Sequence, residues 1–269
     1  MNGYKSWASV IGLGLALVGV GCITRPASPA KPQLTILLDD AGEYGAYDVI
    51  FSLPQPVSLA VLPGTPLADW VLREARRHGT DVIGHIPMES FMPDDSGNVS
   101  LVTDDMDEKE VRAHLETALR ALPGIRGINN HRGSAASVNP KLMDWVMAVL
   151  KEKGLFMVDS RTHHDSIIPE VARRHGVPCL AKNEFIDSEA GEVAARRHLD
   201  YLLTRAKQSG YALGIGHVYH RPALLALNRF MNEHAGEVEF VGINRLIKKF
   251  GRPTQGGSRT APVTSPQTP

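Results

Sequence analysis

Short apolar runs alternate along this chain with segments of helical period, and that alternation is the strongest constraint on its fold. Strand candidates are 34–38, 57–62, 81–86, 125–130, 154–158, 177–180, 212–216 and 238–241. Helical patterns fill the intervals. Asp107 and Glu110 form a capping-box signal before Val111, Leu115, Ala118, Leu119 and Leu122, which share one helical face. Asn139 followed by Pro140 reads as an N-cap with proline at the first helical position, and Gly154 is placed to end that helix. Residues 67–78, 165–175, 189–208 and 221–234 are helical in pattern as well. Repeated strand–helix alternation predicts a parallel sheet with helices outside it. This many strands predict a barrel or near-barrel, with an open doubly wound sheet as the alternative.

The alternation occupies only the middle of the chain. Lys5 precedes an apolar run from about Trp7 to Val20, which ends in Gly19-Val20-Gly21-Cys22. Residues 1–22 therefore read as an export signal. Small residues before Cys22 fit a bacterial lipoprotein site, while cleavage without lipid or an uncleaved anchor are the other outcomes. Each places the domain outside the cytoplasm, in the periplasm or cell envelope, with any membrane attachment through this segment or its lipid. Residues 23–33 read as a linker and 251–269 as a disordered tail, which leaves one domain over 34–250. Lysine plus arginine and aspartate plus glutamate cancel at 29 each, and no basic block suggests nucleic acid. Cys22 and Cys179 lack metal-ligand spacing, and the apolar neighbours of Cys179 suggest a core thiol.

In parallel α/β folds chemistry gathers at the C-terminal ends of strands. Here those ends are polar. Strand 34–38 runs into Asp39-Asp40, and 81–86 into His85 and then Glu89. Strand 125–130 runs into Asn129-Asn130-His131, 154–158 into Asp159-Ser160-Arg161, and 212–216 into His217. One carboxylate of Asp39-Asp40 reads as a metal ligand and the other as a general base. Either could instead cap a helix from about Gly45 to Phe51. An Asp with His85 and His131, leaving open positions, suits Zn²⁺ or a related first-row divalent ion. His217 is placed as a general acid or as a strand-end cap. Asp159 could orient it, and Arg161 could be a partner of Asp159. Gly214 and Gly216 read as room for a close ligand. His163 and His164 read as rim residues, and His78, His114, His175, His198 and His234 as helix-surface residues.

The motifs Leu37-Leu38-Asp39-Asp40-Ala41-Gly42, Leu59-Ala60-Val61-Leu62-Pro63, His85-Ile86-Pro87-Met88-Glu89, Gly127-Ile128-Asn129-Asn130-His131-Arg132-Gly133-Ser134, Val158-Asp159-Ser160-Arg161-Thr162 and Ile215-Gly216-His217 occur in order. Together they resemble the divergent polysaccharide deacetylase family, a branch of the polysaccharide deacetylase (NodB-homology) superfamily, over about 34–245. The resemblance implies a distorted (β/α) barrel and metal-dependent removal of acetyl groups from N-acetylated sugars. It implies Asp39 as base, Asp40 as metal ligand and His217 as acid. Typical members carry a second His four residues after the first, where this chain has Glu89. His131 is one substitute for that ligand and Glu89 the other. The segment Lys182-Asn183-Glu184-Phe185-Ile186-Asp187 departs from the branch, which has Arg-Asp at the first two positions.

The expected function is metal-assisted hydrolysis of an acetamide or ester on an extracytoplasmic glycan. Asn129, Asn130, Ser134 and Arg161 are the candidate sugar contacts. The alternatives are a non-catalytic glycan- or envelope-binding module and a metal-dependent amidase acting on peptidoglycan.

Overall fold

A computed structural model describes residues 30–92 and 101–252. The export segment, Cys22 and most of the linker and tail lie outside the described residues. In chain order the elements are β1 (Gln33–Ala41), α1 (Tyr47–Ile50), β2 (Ser58–Val61), α2 (Ala68–His78), β3 (Asp81–Met88), α3 (Glu108–Ala121), β4 (Gly127–Arg132), α4 (Pro140–Lys153) and β5 (Phe156–Asp159). There follow α5 (Ile168–His175), β6 (Cys179–Ala181), β7 (Glu184–Phe185), α6 (Glu192–Ser209), β8 (Tyr211–His217), α7 (Arg221–His234), β9 (Glu239–Phe240) and α8 (Ile243–Phe250).

Local sequence explains several of these boundaries. Asp107 accepts from the Glu110 backbone and Glu110 reaches back to Asp107, so the capping box that opens α3 is formed. Such a cap contributes about 1 kcal/mol. Asn139 caps α4 through the Leu142 amide, and Gly154 ends it in a left-handed conformation. β9 falls within the strand expected over 238–241, whereas β7 and α8 were not anticipated.

All pairings are parallel, in the order β6-β5-β4-β3-β2-β1-β8-β7, with β9 beside the start of β1. One short segment joins the two edges. β6 pairs β5 through Asp159↔Ala181, and the Lys182 amide still donates to Asp159. The next amide, Asn183, donates to Leu213 of β8, and β7 continues along that strand. A single run of chain thus spans both edges of the curled sheet, which makes the distorted barrel.

The two-residue period of the strands sorts side chains inside and outside. On β1, Leu34, Ile36 and Leu38 face outward onto α2, α6 and α7, while Leu37 faces in. The interior holds Leu37, Ala60, Ile83, Phe156, Val158, Leu213 and Ile215. Ile243, Leu246 and Ile247 of α8 plug it from below. Asp81 at the start of β3 anchors this plug by accepting from the Asn244 amide and side chain. One mouth is therefore sealed by apolar packing, and the other, where the strands end, carries the polar residues.

Candidate metal and catalytic site

The inward positions one step beyond the apolar layer are polar. Leu37 leads to Asp39, Ile83 to His85, Gly127 to Asn129 and His131, and Ile215 to His217. Strand register then sets the neighbours: Asp39 lies opposite His217, and His85 opposite Asn129. Asp40 ought to face outward by the same period. Instead it has φ of 60° and sits at a register shift between Leu38 and Ala41. This left-handed residue turns its carboxylate to the same mouth as Asp39, a strained conformation of the kind found at functional sites. Neither aspartate caps α1, whose N-cap is Ala46 with no side-chain cap.

Three donor atoms converge there. Asp40 Oδ1 lies 3.2 Å from His85 Nε2 and 3.0 Å from His131 Nδ1, and the two ring nitrogens are 3.1 Å apart. Ligand atoms on one face of a tetrahedral zinc site are roughly 3.3 Å apart, given bonds of about 2.0–2.1 Å. The donor set and its spacing therefore fit a divalent ion. His85 is fixed in the right tautomer. Asn129 Nδ2 donates to both oxygens of Asp39, at 2.9 and 3.1 Å, so its Oδ1 must accept. It accepts at 2.8 Å from His85 Nδ1, which leaves the Nε2 lone pair free for a metal.

Glu89 is not part of this set. β3 stays extended to Met88, so four residues carry the chain about 13 Å past His85. The Glu89 carboxylate accepts from the Asp104 amide instead. His131 reaches the site because it occupies an inward position of the adjacent strand β4.

His217 stands on the opposite side of Asp39. Its Nδ1 contacts both Asp187 oxygens at 3.1 Å, and its backbone amide donates to the same carboxylate at 2.7 Å. Nε2 is thus the nitrogen left for chemistry. This corrects the expectation for Asp159, which is fully buried and accepts from the Arg161 amide and the Ser166 hydroxyl. Asp187 was missed as the orienting carboxylate because it comes from the irregular segment after β7, outside any strand-end pattern. Its approach explains the glycines of β8. A Cβ on Gly216 would meet Ile186 at 2.7 Å, and one on Gly214 would meet Leu202 at 2.5 Å. Both make room for protein rather than for a ligand.

Two other expectations change. Asn129 and Asn130 are buried and internally bonded, so neither faces a sugar. Asn130 accepts from the Ser160 amide and donates to the Arg132 carbonyl. Ser134 meets the Ser90 hydroxyl and accepts from the Phe91 amide, so it shapes the rim loop. Arg161 is exposed at the mouth. His163, His164 and Asp165 cluster on the same loop, largely open to solvent. Cys179 is partly buried at the sheet edge, and burial pushes its thiol far above the usual range.

The electrostatics suit acid–base work. Burial raises the Asp39 carboxyl above its ordinary range, against the opposing pull of His85, His217 and the Asn129 donor. Burial would also raise Asp40, but the His131 and His85 imidazoles beside it hold it well below the usual range. Burial disfavours the His217 imidazolium, yet Asp187, Asp39 and Asp40 outweigh it and bring His217 up to about 9. Tyr219, half-exposed beside His217 with ring centroids 5.5 Å apart, is pushed up to about 12 by burial and these carboxylates.

The model of divergent polysaccharide deacetylases matches residues 36–247, most of the chain. The chain belongs to the divergent polysaccharide deacetylase family. An uncharacterized protein of Haemophilus influenzae is 32% identical over 221 residues, 81% of this chain and 77% of its own length. Among solved structures, the uncharacterized protein ATU2773 of Agrobacterium tumefaciens matches with a TM-score of 0.76 and 23% identity, over 82% of this chain and 92% of that one. The catalytic domain of a peptidoglycan N-acetylglucosamine deacetylase from Eubacterium rectale matches with a TM-score of 0.50 and 10% identity, over 80% and 90%. These two likenesses establish the deacetylase-type barrel. Family and fold agree with the strand-end motifs from which the resemblance was drawn.

Proposed function

We propose that this member of the family is a metal-dependent hydrolase that removes acyl groups, as acetamide or ester, from an extracytoplasmic carbohydrate. The observation that carries the reading is the convergence of Asp40, His85 and His131 beside a buried carboxylate, Asp39, with an oriented imidazole, His217, on its other side. A divalent ion held by the three, most readily Zn²⁺, supplies Lewis acidity and lowers the pKa of water toward neutrality. Asp39 is the base, and its raised pKa strengthens its hold on the proton it takes. Asn129 aims that carboxylate and fixes His85 at once. His217 gives a proton from Nε2 to the departing amine or alkoxide, while Asp187 keeps Nδ1 engaged. Glu89 is not needed for this constellation, which favours turnover over a degenerate binding module.

The test is metal content together with acetate release from acetylated glycans. The reading expects about one ion per chain, lost in His85→Ala and His131→Ala. It expects acetate release that Asp39→Asn abolishes. A wild-type protein that binds no divalent metal, or that releases acetate equally well as Asp39→Asn, overturns it. Residues 1–22 are read as the export segment with Cys22 as a lipid acceptor. Labelled fatty acid should enter the wild-type protein and not Cys22→Ser, and equal labelling refutes this.

A further inference from the structure

Two cations stand beside the site without a carboxylate partner. β5 and β6 end together at the pair Asp159↔Ala181, so Lys182 is the first residue beyond β6 and Arg161 the second beyond β5, at the same end of adjacent strands. Arg161 has φ of 47°, a left-handed turn that only the local structure can hold in place, and its side chain is exposed. Lys182 is half-buried, and its ammonium lies 3.8 Å from the centroid of the Phe185 ring. That ring stacks on His217 at 5.8 Å and 18°, so the ammonium is one ring away from the acid. Neither cation has an ion pair or a side-chain hydrogen bond among the described residues. The carboxylate that acts most strongly on Lys182, Glu184, accepts from the Phe185 amide and makes no ion pair with Lys182 among the described residues, and Asp159 is buried and bonded to the Arg161 amide and Ser166. Burial also raises the Asp159 carboxyl above its ordinary range, against the pull of its hydrogen bonds and of the two cations. Burial and the neighbouring Arg161 charge both work against the Lys182 ammonium, and the carboxylates of Glu184, Asp159 and Asp39 do not restore it to its ordinary range.

A partly desolvated ammonium beside a second cation is costly unless an anion joins them. An arginine fork with an ammonium matches a carboxylate or a phosphate. We propose that Arg161 and Lys182 form an anion subsite, so that the acylated glycan bears a negatively charged substituent next to the sugar that enters the mouth. This rests on the deacylation site above, because His217 and Asp39 define where that sugar sits. A neutral acetylated glycan leaves the subsite empty and binds more weakly.

The experiment uses the full chain and three matched acetylated hexosamine oligomers: neutral, oxidised to a carboxylate at C6, and phosphorylated at C6. Binding is measured by calorimetry at two salt concentrations, and acetate release is measured separately. At least one anionic oligomer should bind tenfold or more tightly than the neutral one, and the preference should shrink with salt. Arg161→Gln with Lys182→Met should bring the preference close to one, and Lys182→Arg should retain it. The arm that binds tightly tells carboxylate from phosphate. Equal binding of neutral and anionic oligomers by the wild type overturns the subsite, as does a preference that survives the double substitution. Because binding is read apart from turnover, anion preference without acetate release would refute hydrolysis and leave the subsite standing.

Discussion

Replacing Asp187 by Asn tests how the acid is held. The His217 side chain is about one quarter exposed and that of Asp187 is 1% exposed, so their contact is shielded from water. His217 rises from an ordinary 6.5 to about 9. At 1.36 kcal/mol per pKa unit that is roughly 3 kcal/mol of preference for the imidazolium. Asp39 and Asp40 share in it, so Asp187 alone accounts for somewhat less. The folded pKa lies above the unfolded one. The stabilisation is therefore full below about 6.5 and is lost as pH rises through about 9. Asp187→Asn keeps an acceptor for the His217 amide but removes the charge. In metal-free protein, urea unfolding should show the variant about 2 kcal/mol less stable at pH 6 and much closer to wild type at pH 10. Imidazole proton shifts should show His217 titrating well below its wild-type midpoint in the variant, with part of the rise retained through Asp39 and Asp40. With substrate, kcat should fall more than KM, because the acid acts in leaving-group departure. A wild-type His217 that titrates near 6.5, or a stability loss that is equal at both pH values, refutes the account of Asp187 as its holder.

Other outcomes follow from the same geometry. Glu89→Gln should leave metal content unchanged, whereas Asn129→Ala should weaken metal affinity about 10–100-fold by freeing His85. Competition with a chromogenic chelator measures both, and metal loss in Glu89→Gln would return that residue to the ligand set. Gly127→Ala would bring a Cβ within 2.3 Å of the buried Phe156 ring inside the barrel. A cost of about 1–3 kcal/mol in chemical denaturation is expected, and an unchanged midpoint would show that Phe156 can move aside.

Periodicity and polar strand ends made much of this protein legible without coordinates. The parallel alternation, the capping box of α3, the Asn139 cap and the inward faces of β1, β3, β4 and β8 are local or period-two properties, and a linear chain displays them. The polar strand ends offered Asp39-Asp40, His85 and His131 as candidates in the same way, and only the family resemblance singled out Asp40 as the proposed ligand. Ring closure by residues 179–185 was not readable, because it depends on which strand lies across a gap. The same holds for Asp187. Its distance in sequence from His217 says nothing until β7 packs against β8, with Gly214 and Gly216 giving the room. Asn129 and Asn130 read as sugar contacts in the sequence. Their burial follows from strand register, which sets Asn129 between His85 and Asp39 and makes it a brace. Sequence alone determined the kinds of group at the mouth and the strand bearing each one. Tertiary structure decided which of them meet, because a left-handed turn at Asp40 and the extended course of β3 past His85 are set by long-range packing.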